Sequence, residues 1–147
     1  MNLENKIARW WQGRGFGIQS KSDYDYLKDV IKESLPYYAY DEIKTERARL
    51  IYRICLHENQ KGRRVTLAGN FTDEELAAAR SAAECDNEKI THLHGQETVI
   101  INDIDSDGEY AQQLWHQALK AKAITWDMGS MGVVRFIEGR YPEHYSI

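Results

Sequence analysis

The sequence predicts an α/β protein: a mostly parallel sheet with a C-terminal antiparallel hairpin, preceded by an N-terminal helical arm. Three observations predict it. The first third of the chain has apolar residues at helical spacing, whereas beyond Gly62 short apolar runs alternate with helix-starting signals. Thr98-Val99-Ile100-Ile101 is nearly continuous in apolar character, the pattern of a strand covered on both faces. Ala123 to Asp127 and Gly132 to Glu138 flank Met128-Gly129-Ser130-Met131 as the two arms of a hairpin. The expected division is a helical arm or cap over residues 1–61 and an α/β domain over 62–147, together forming one compact unit.

Each element has its own signal. Ile7, Trp10 and Trp11 give a short amphipathic helix that Gly13-Arg14-Gly15-Phe16-Gly17 ends, because glycine is costly inside a helix and suits a turn. Ser22 is the expected N-cap of the next helix, with Asp23 and Asp25 favourable at its positive end. Leu27, Val30, Ile31 and Leu35 form its stripe, and Pro36 closes it. A third helix is expected from Asp41, burying Ile43, the stem of Arg47, Leu50, Ile51 and Ile54. Val65 to Ala68 reads as a strand, and Thr72 with Glu75 as a capping box for a helix over Asp73 to Ala83. Asp86-Asn87 reads as a turn and Lys89 to His94 as a strand. Ser106 and Glu109 suggest a second capping box, opening a helix to Lys122 with Tyr110, Leu114, Ala118 and Leu119 inward. Gly139 and Pro142 mark a turn before a last strand over His144 to Ile147.

Composition narrows the function classes. A formal net charge of -4 argues against a protein built mainly to grip nucleic-acid phosphates. No run approaches the ~20 apolar residues of a membrane helix. The charged opening Met1-Asn2-Leu3-Glu4-Asn5-Lys6 lacks the apolar stretch of a secretory signal, so a cytoplasmic location is expected. Cys55 and Cys85 make no disulfide framework and show no spacing pattern for a nucleophile or a metal knuckle.

Ligands of open parallel sheets bind outside the carboxyl ends of the strands, and two such ends carry polar residues. Ala68-Gly69-Asn70-Phe71-Thr72-Asp73 has one glycine followed by a bulky Phe71, and its plain reading is a strand-to-helix turn capped by Thr72. Asn102-Asp103-Ile104-Asp105-Ser106-Asp107-Gly108-Glu109 matches the first half of a calcium loop. It places Leu114 where the bidentate glutamate belongs, so no complete EF-hand is present. The aspartates serve equally as strand end and helix cap. His92 and His94 share one face of the expected strand without an identifiable third ligand, and no metal is expected. Trp10, Trp11 and Arg14 could form an aromatic-basic contact patch.

Two blocks carry a resemblance. The first is Arg14-Gly15-Phe16-Gly17-Ile18-Gln19-Ser20, then Leu35-Pro36-Tyr37-Tyr38-Ala39-Tyr40 and the helix containing Arg47 to Ile54. The second is Val99-Ile100-Ile101-Asn102-Asp103-Ile104, a helix with Trp115, Ile124-Thr125-Trp126-Asp127, Met131-Gly132-Val133-Val134-Arg135-Phe136 and Glu143-His144-Tyr145. In this order they resemble a Bacteroidetes family of S-adenosylmethionine-dependent methyltransferase-like proteins, over roughly two-thirds of the chain. The resemblance implies a reduced Rossmann-like, methyltransferase-like sheet and S-adenosylmethionine as cofactor. It implies cofactor binding at Gly69, Asn70, Asp103 and Asp105, with Asp103 or Asp105 near the methyl acceptor.

The sequence also departs from that family. Lys21 stands where the family has proline, and Gly69-Asn70-Phe71 replaces a glycine-rich loop. The family holds the ribose hydroxyls with an acid at the end of its second strand, and His92-Leu93-His94-Gly95 offers none. Some central strand-helix units are absent. Two functions follow as expectations: a methyltransferase-like protein with a degenerate cofactor site, or a non-catalytic interaction or structural protein derived from that fold. No nucleic-acid or membrane partner is expected, self-association through the N-terminal arm is, and the methyl acceptor is not legible.

Overall fold

The computed structural model describes residues 2–15, 18, 20–93 and 95–147. The described residues form an α/β protein with a six-stranded mixed sheet and five α-helices. Helix α1 (Leu3–Gly13) starts at Asn2, whose side chain accepts from the Asn5 N–H, and has no buried residue. Helix α2 (Lys21–Tyr26) is capped by Ser20 rather than the expected Ser22. Its last turn widens into a π-helical segment, Leu27–Ile31. Arg53 fixes that wide turn by donating to the Val30 carbonyl at 2.7 Å and the Ile31 carbonyl at 2.9 Å. The helix therefore stops before Leu35, which is exposed instead of completing the stripe.

A short 3₁₀ turn (Tyr38–Asp41) leads to α3 (Glu46–Gln60), which Thr45 caps; the expected start at Asp41 is five residues early. Strand β1 (Val65–Ala68) and helix α4 (Asp73–Ala82) follow as expected, with the reciprocal Thr72–Glu75 capping box formed. Strand β2 (Cys85–Asn87) replaces the turn expected at Asp86-Asn87. Residues 88–93 form no strand, which corrects the expectation for Lys89 to His94; His94 itself lies outside the described residues.

Strand β3 (Thr98–Asn102) leads to α5 (Glu109–Lys120). The expected Ser106–Glu109 box does not form, because Gly108 is the N-cap and the Ser106 hydroxyl donates to the Asp103 carbonyl at 2.8 Å. Helix α5 buries Ala111, Leu114, Trp115 and Ala118, while Leu119 is exposed and Tyr110 only partly covered. The hairpin β4 (Ile124–Asp127) and β5 (Met131–Arg135) and a last strand β6 (Glu143–Ser146) complete the sheet.

The strand order is β2-β1-β3-β5-β4-β6. Val65 stands beside Cys85 and Thr98 in parallel register, and β4 and β6 are also parallel. Only β5 is reversed, antiparallel to both β3 and β4. Alternation along the strands sends Leu67, Ile100, Trp126 and Val133 to one face and Val99, Ile101 and Val134 to the other. Helix α5 covers the second face. The first face is covered by α2, its π-helical extension, α3 and α4, so residues of the first 61 share one core with the sheet.

Charged groups inside that core are paired, as burial requires. Glu58 is fully buried and accepts from Arg135 Nε at 2.6 Å, Arg63 Nε at 2.7 Å and the Tyr26 hydroxyl at 3.2 Å. Asp23, read from sequence as a helix-end charge, is fully buried too. It accepts two bonds from Arg140 and one from the Tyr145 hydroxyl at 2.7 Å, clasping α2 to the last strand.

Candidate functional site

The chain leaves β1 towards β2 on one side and later returns to β3 on the other. The two loops at the carboxyl ends of β1 and β3 therefore diverge, and such a topological switch point is where open α/β sheets place ligands. Gly69 makes the turn after β1 with φ of +105°, a conformation that side chains disfavour. Asn102, at the end of β3, ties the two loops together. Its Nδ2 donates to the Asn70 carbonyl, and its Oδ1 accepts from the Asp103 N–H at 2.8 Å and from Arg47. Asp103 takes the left-handed conformation at φ of 61°, and its carbonyl accepts from the Ser106 N–H and hydroxyl.

Arg47 reaches this edge from α3. Its Nε donates to Glu75 at 2.7 Å and its Nη1 to the Ser130 hydroxyl at 2.9 Å, while Nη2 meets Asn102. One guanidinium thus joins the start of α4, the end of β3 and the β4–β5 turn. Sequence reading found Arg47 for its stem but had no means of seeing its head bridge three elements.

On the other side of Asn70 a cleft of about 310 Å³ opens, lined by Gly69, Asn70, Asn87, Glu88, Lys89 and Tyr110. That volume lies at the lower end of the roughly 300–1,000 Å³ typical of small-molecule sites. Glu88 follows β2 directly, and its carboxylate makes no hydrogen bond or ion pair with the described residues. Lys89 lies over the Tyr110 ring, with its ammonium 5.5 Å from the ring centre. The Tyr110 hydroxyl oxygen is buried and makes no well-aligned hydrogen bond among the described residues. Burial raises its pKa, so the phenol stays protonated and able to donate.

The four residues named from the resemblance are thus placed as follows. Gly69 and Asn70 line the cleft, whereas Asp103 and Asp105 are exposed on the loop after β3 and do not line it. Phe71, which made the β1 loop look obstructed, turns back against the core of the α3 and α4 face and leaves the cleft open. Glu88 is the residue that sequence reading missed. The sequence reading ends the second strand at His92-Leu93-His94, whereas the second strand ends at Asn87 and the acidic Glu88 follows it.

The chain matches no protein-family model, no curated protein and no solved structure. Among the described residues no group of three or more His, Cys, Asp or Glu is placed to hold a metal ion. No helix among them is long and apolar enough to cross a membrane.

Proposed function

We propose that the cleft beside β1 and β2 binds an adenosyl-type nucleoside ligand, and that the chain is a reduced, methyltransferase-like Rossmann protein with S-adenosylmethionine as the cofactor. One observation carries the reading: the unpartnered carboxylate of Glu88, directly after the second strand, shares a cleft with the Gly69 turn after the first. A carboxylate in that place suits the two hydroxyls of a ribose, which it can accept together. Asn70 and Asn87 offer amides for a base, and the Tyr110 ring offers an apolar surface beside them. The Tyr110 hydroxyl is buried beside the Ile90 backbone N–H and keeps its own proton to donate.

The donor set suits a nucleoside better than the sequence alone suggests, because an exposed carboxylate, Glu88, follows the second strand and Phe71 is turned away. The single glycine still leaves less room for close backbone approach than a glycine-rich loop. Bound S-adenosylmethionine supplies an electrophilic methyl group. The residues lining the cleft would bind and orient it, and Asp103 or Asp105, on the loop after β3 outside the cleft, would stand near a methyl acceptor.

Isothermal titration with S-adenosylmethionine and S-adenosylhomocysteine tests the proposal. Micromolar binding that Glu88→Ala weakens at least about tenfold, the worth of one charge-assisted hydrogen bond, supports it. No binding at several hundred micromolar overturns it. The result would then favour a non-catalytic interaction protein, the reading supported by α1, where Leu3, Ile7 and Trp10 stand exposed on a helix with no buried residue. Sedimentation of the wild type against a Trp10→Ser variant measures whether that helix holds copies of the chain together.

A further inference from the structure

Cys55 and Cys85 are distant in sequence and show no spacing pattern, yet the fold brings their sulfurs to 3.7 Å. Cys55 sits in α3 and is fully buried, while Cys85 opens β2 and is partly buried. Both are free thiols. The pair lies on the face of the sheet where α3 and α4 pack, with the Ala79 carbonyl 3.5 Å from the Cys85 sulfur.

We propose that Cys85 and Cys55 form an oxidisable dithiol, with Cys85 as the sulfur that attacks hydrogen peroxide and Cys55 as its resolving partner. The geometry divides the roles. Cys85 is only partly buried, at the sheet edge, whereas Cys55 is fully buried, so of the two Cys85 is the one nearer solvent. In the reduced pair the Cys85 thiol donates to the Cys55 sulfur; once Cys85 ionises the Cys55 thiol can donate in return, which holds the Cys85 pKa down and pushes that of Cys55 up. A disulfide needs its sulfurs at about 2.05 Å, so side-chain rotation must close a gap of roughly 1.7 Å.

In the first step the Cys85 thiolate attacks one peroxide oxygen. A sulfur–oxygen bond forms, the oxygen–oxygen bond breaks, and the departing hydroxide takes from solvent the proton that the Cys85 thiol released on ionising, to become water. Cys85 is left as a sulfenic acid. In the second step the Cys55 sulfur attacks the Cys85 sulfur. The sulfur–sulfur bond forms, and the hydroxyl leaves with the Cys55 proton as a second water. The peroxide is reduced, and the two thiols are oxidised to one disulfide joining α3 to β2. This proposal does not depend on the nucleoside reading.

Intact-mass analysis of the native protein after hydrogen peroxide treatment tests it. The expected product is a monomer lighter by two hydrogens, with both thiols lost to a thiol-reactive dye and regained after dithiothreitol. Peptide mapping without reductant should recover the Cys55 and Cys85 peptides as one species. Cys55→Ser, which lacks the resolving thiol, should instead accumulate a dimedone-trappable sulfenic acid at Cys85. Should Cys55→Ser fail to fold, the wild-type mass and peptide map decide alone. Persistence of both thiols, progression of wild-type Cys85 to a sulfinic acid without bridging, or a disulfide appearing only in urea or only between chains overturns the proposal.

Discussion

Replacing Glu58 by leucine should be among the most damaging single changes available to this fold. The side chain is fully buried and accepts from Arg135, Arg63 and Tyr26. The two arginines would not suffer alike. Arg63 keeps the carbonyls of Glu97 at 2.7 Å and Phe136 at 3.1 Å. Arg135 has no other hydrogen-bond acceptor among the described residues and would keep only the Tyr26 ring, 3.8 Å from its guanidinium carbon. Leaving such a cation buried without its partner costs about 3–5 kcal/mol. That is a large share of the roughly 5–15 kcal/mol that holds a domain folded. At about 2–4 °C per kcal/mol for a chain near this size, melting should fall by roughly 6–20 °C. Urea unfolding followed by tryptophan fluorescence measures the loss, provided that the slope with denaturant is unchanged. Adding Arg135→Met removes the stranded charge and fills similar volume, so the double variant should regain at least half of the lost stability. Glu58→Leu within about 1 kcal/mol of wild type, or no recovery in the double variant, would refute this account of the network.

Further outcomes follow from other positions. Gly132→Ala should cost about 1–3 kcal/mol by overpacking, read as a lower urea midpoint, since an added Cβ would lie 2.4 Å from the Trp115 ring. Gly69→Ala should cost about 1–3 kcal/mol through backbone strain alone. Its Cβ would meet nothing closer than Asn102 at 3.5 Å, and a thermal melt checks the loss. Burial lowers the His57 pKa, so the unfolded chain takes up the proton first on acidification. Stability should therefore decline as pH falls below the ordinary histidine value of about 6.5, and His57→Gln should flatten that part of the profile in urea midpoints measured across it.

The sequence disclosed those parts of the fold whose signals are local. The apolar runs at Val65 and Thr98 and the reciprocal polar contact of Thr72 with Glu75 depend on a few adjacent residues, and all three form as expected. Strand β2 was illegible because Cys85-Asp86-Asn87 is short, polar and at the sheet edge, where no second face must be buried. Asp and Asn there have the chemistry of a turn, and only pairing with β1 makes them a strand. Missing that strand also hid Glu88, whose meaning depends on where the strand ends. Ser106 followed by Glu109 resembled a capping box, but the loop after β3 turns its hydroxyl back to the Asp103 carbonyl. The buried charges Asp23, Arg53, Glu58 and Arg135 were invisible for a different reason. Most of their partners lie 22 to 122 residues away along the chain, beyond any short window of sequence; the nearer ones are Arg63, five residues from Glu58, and Tyr40, thirteen from Arg53.

The clasp of Asp23 by Arg140 and Tyr145 has a bearing on how the protein is made. A ribosome releases Asp23 early and Tyr145 more than a hundred residues later. Until then the apolar stripe of Leu27, Val30 and Ile31 has no complete surface to settle on. Nascent chains stalled before Tyr145 should therefore remain open to proteases and to holding chaperones, and become resistant only once that residue clears the exit tunnel.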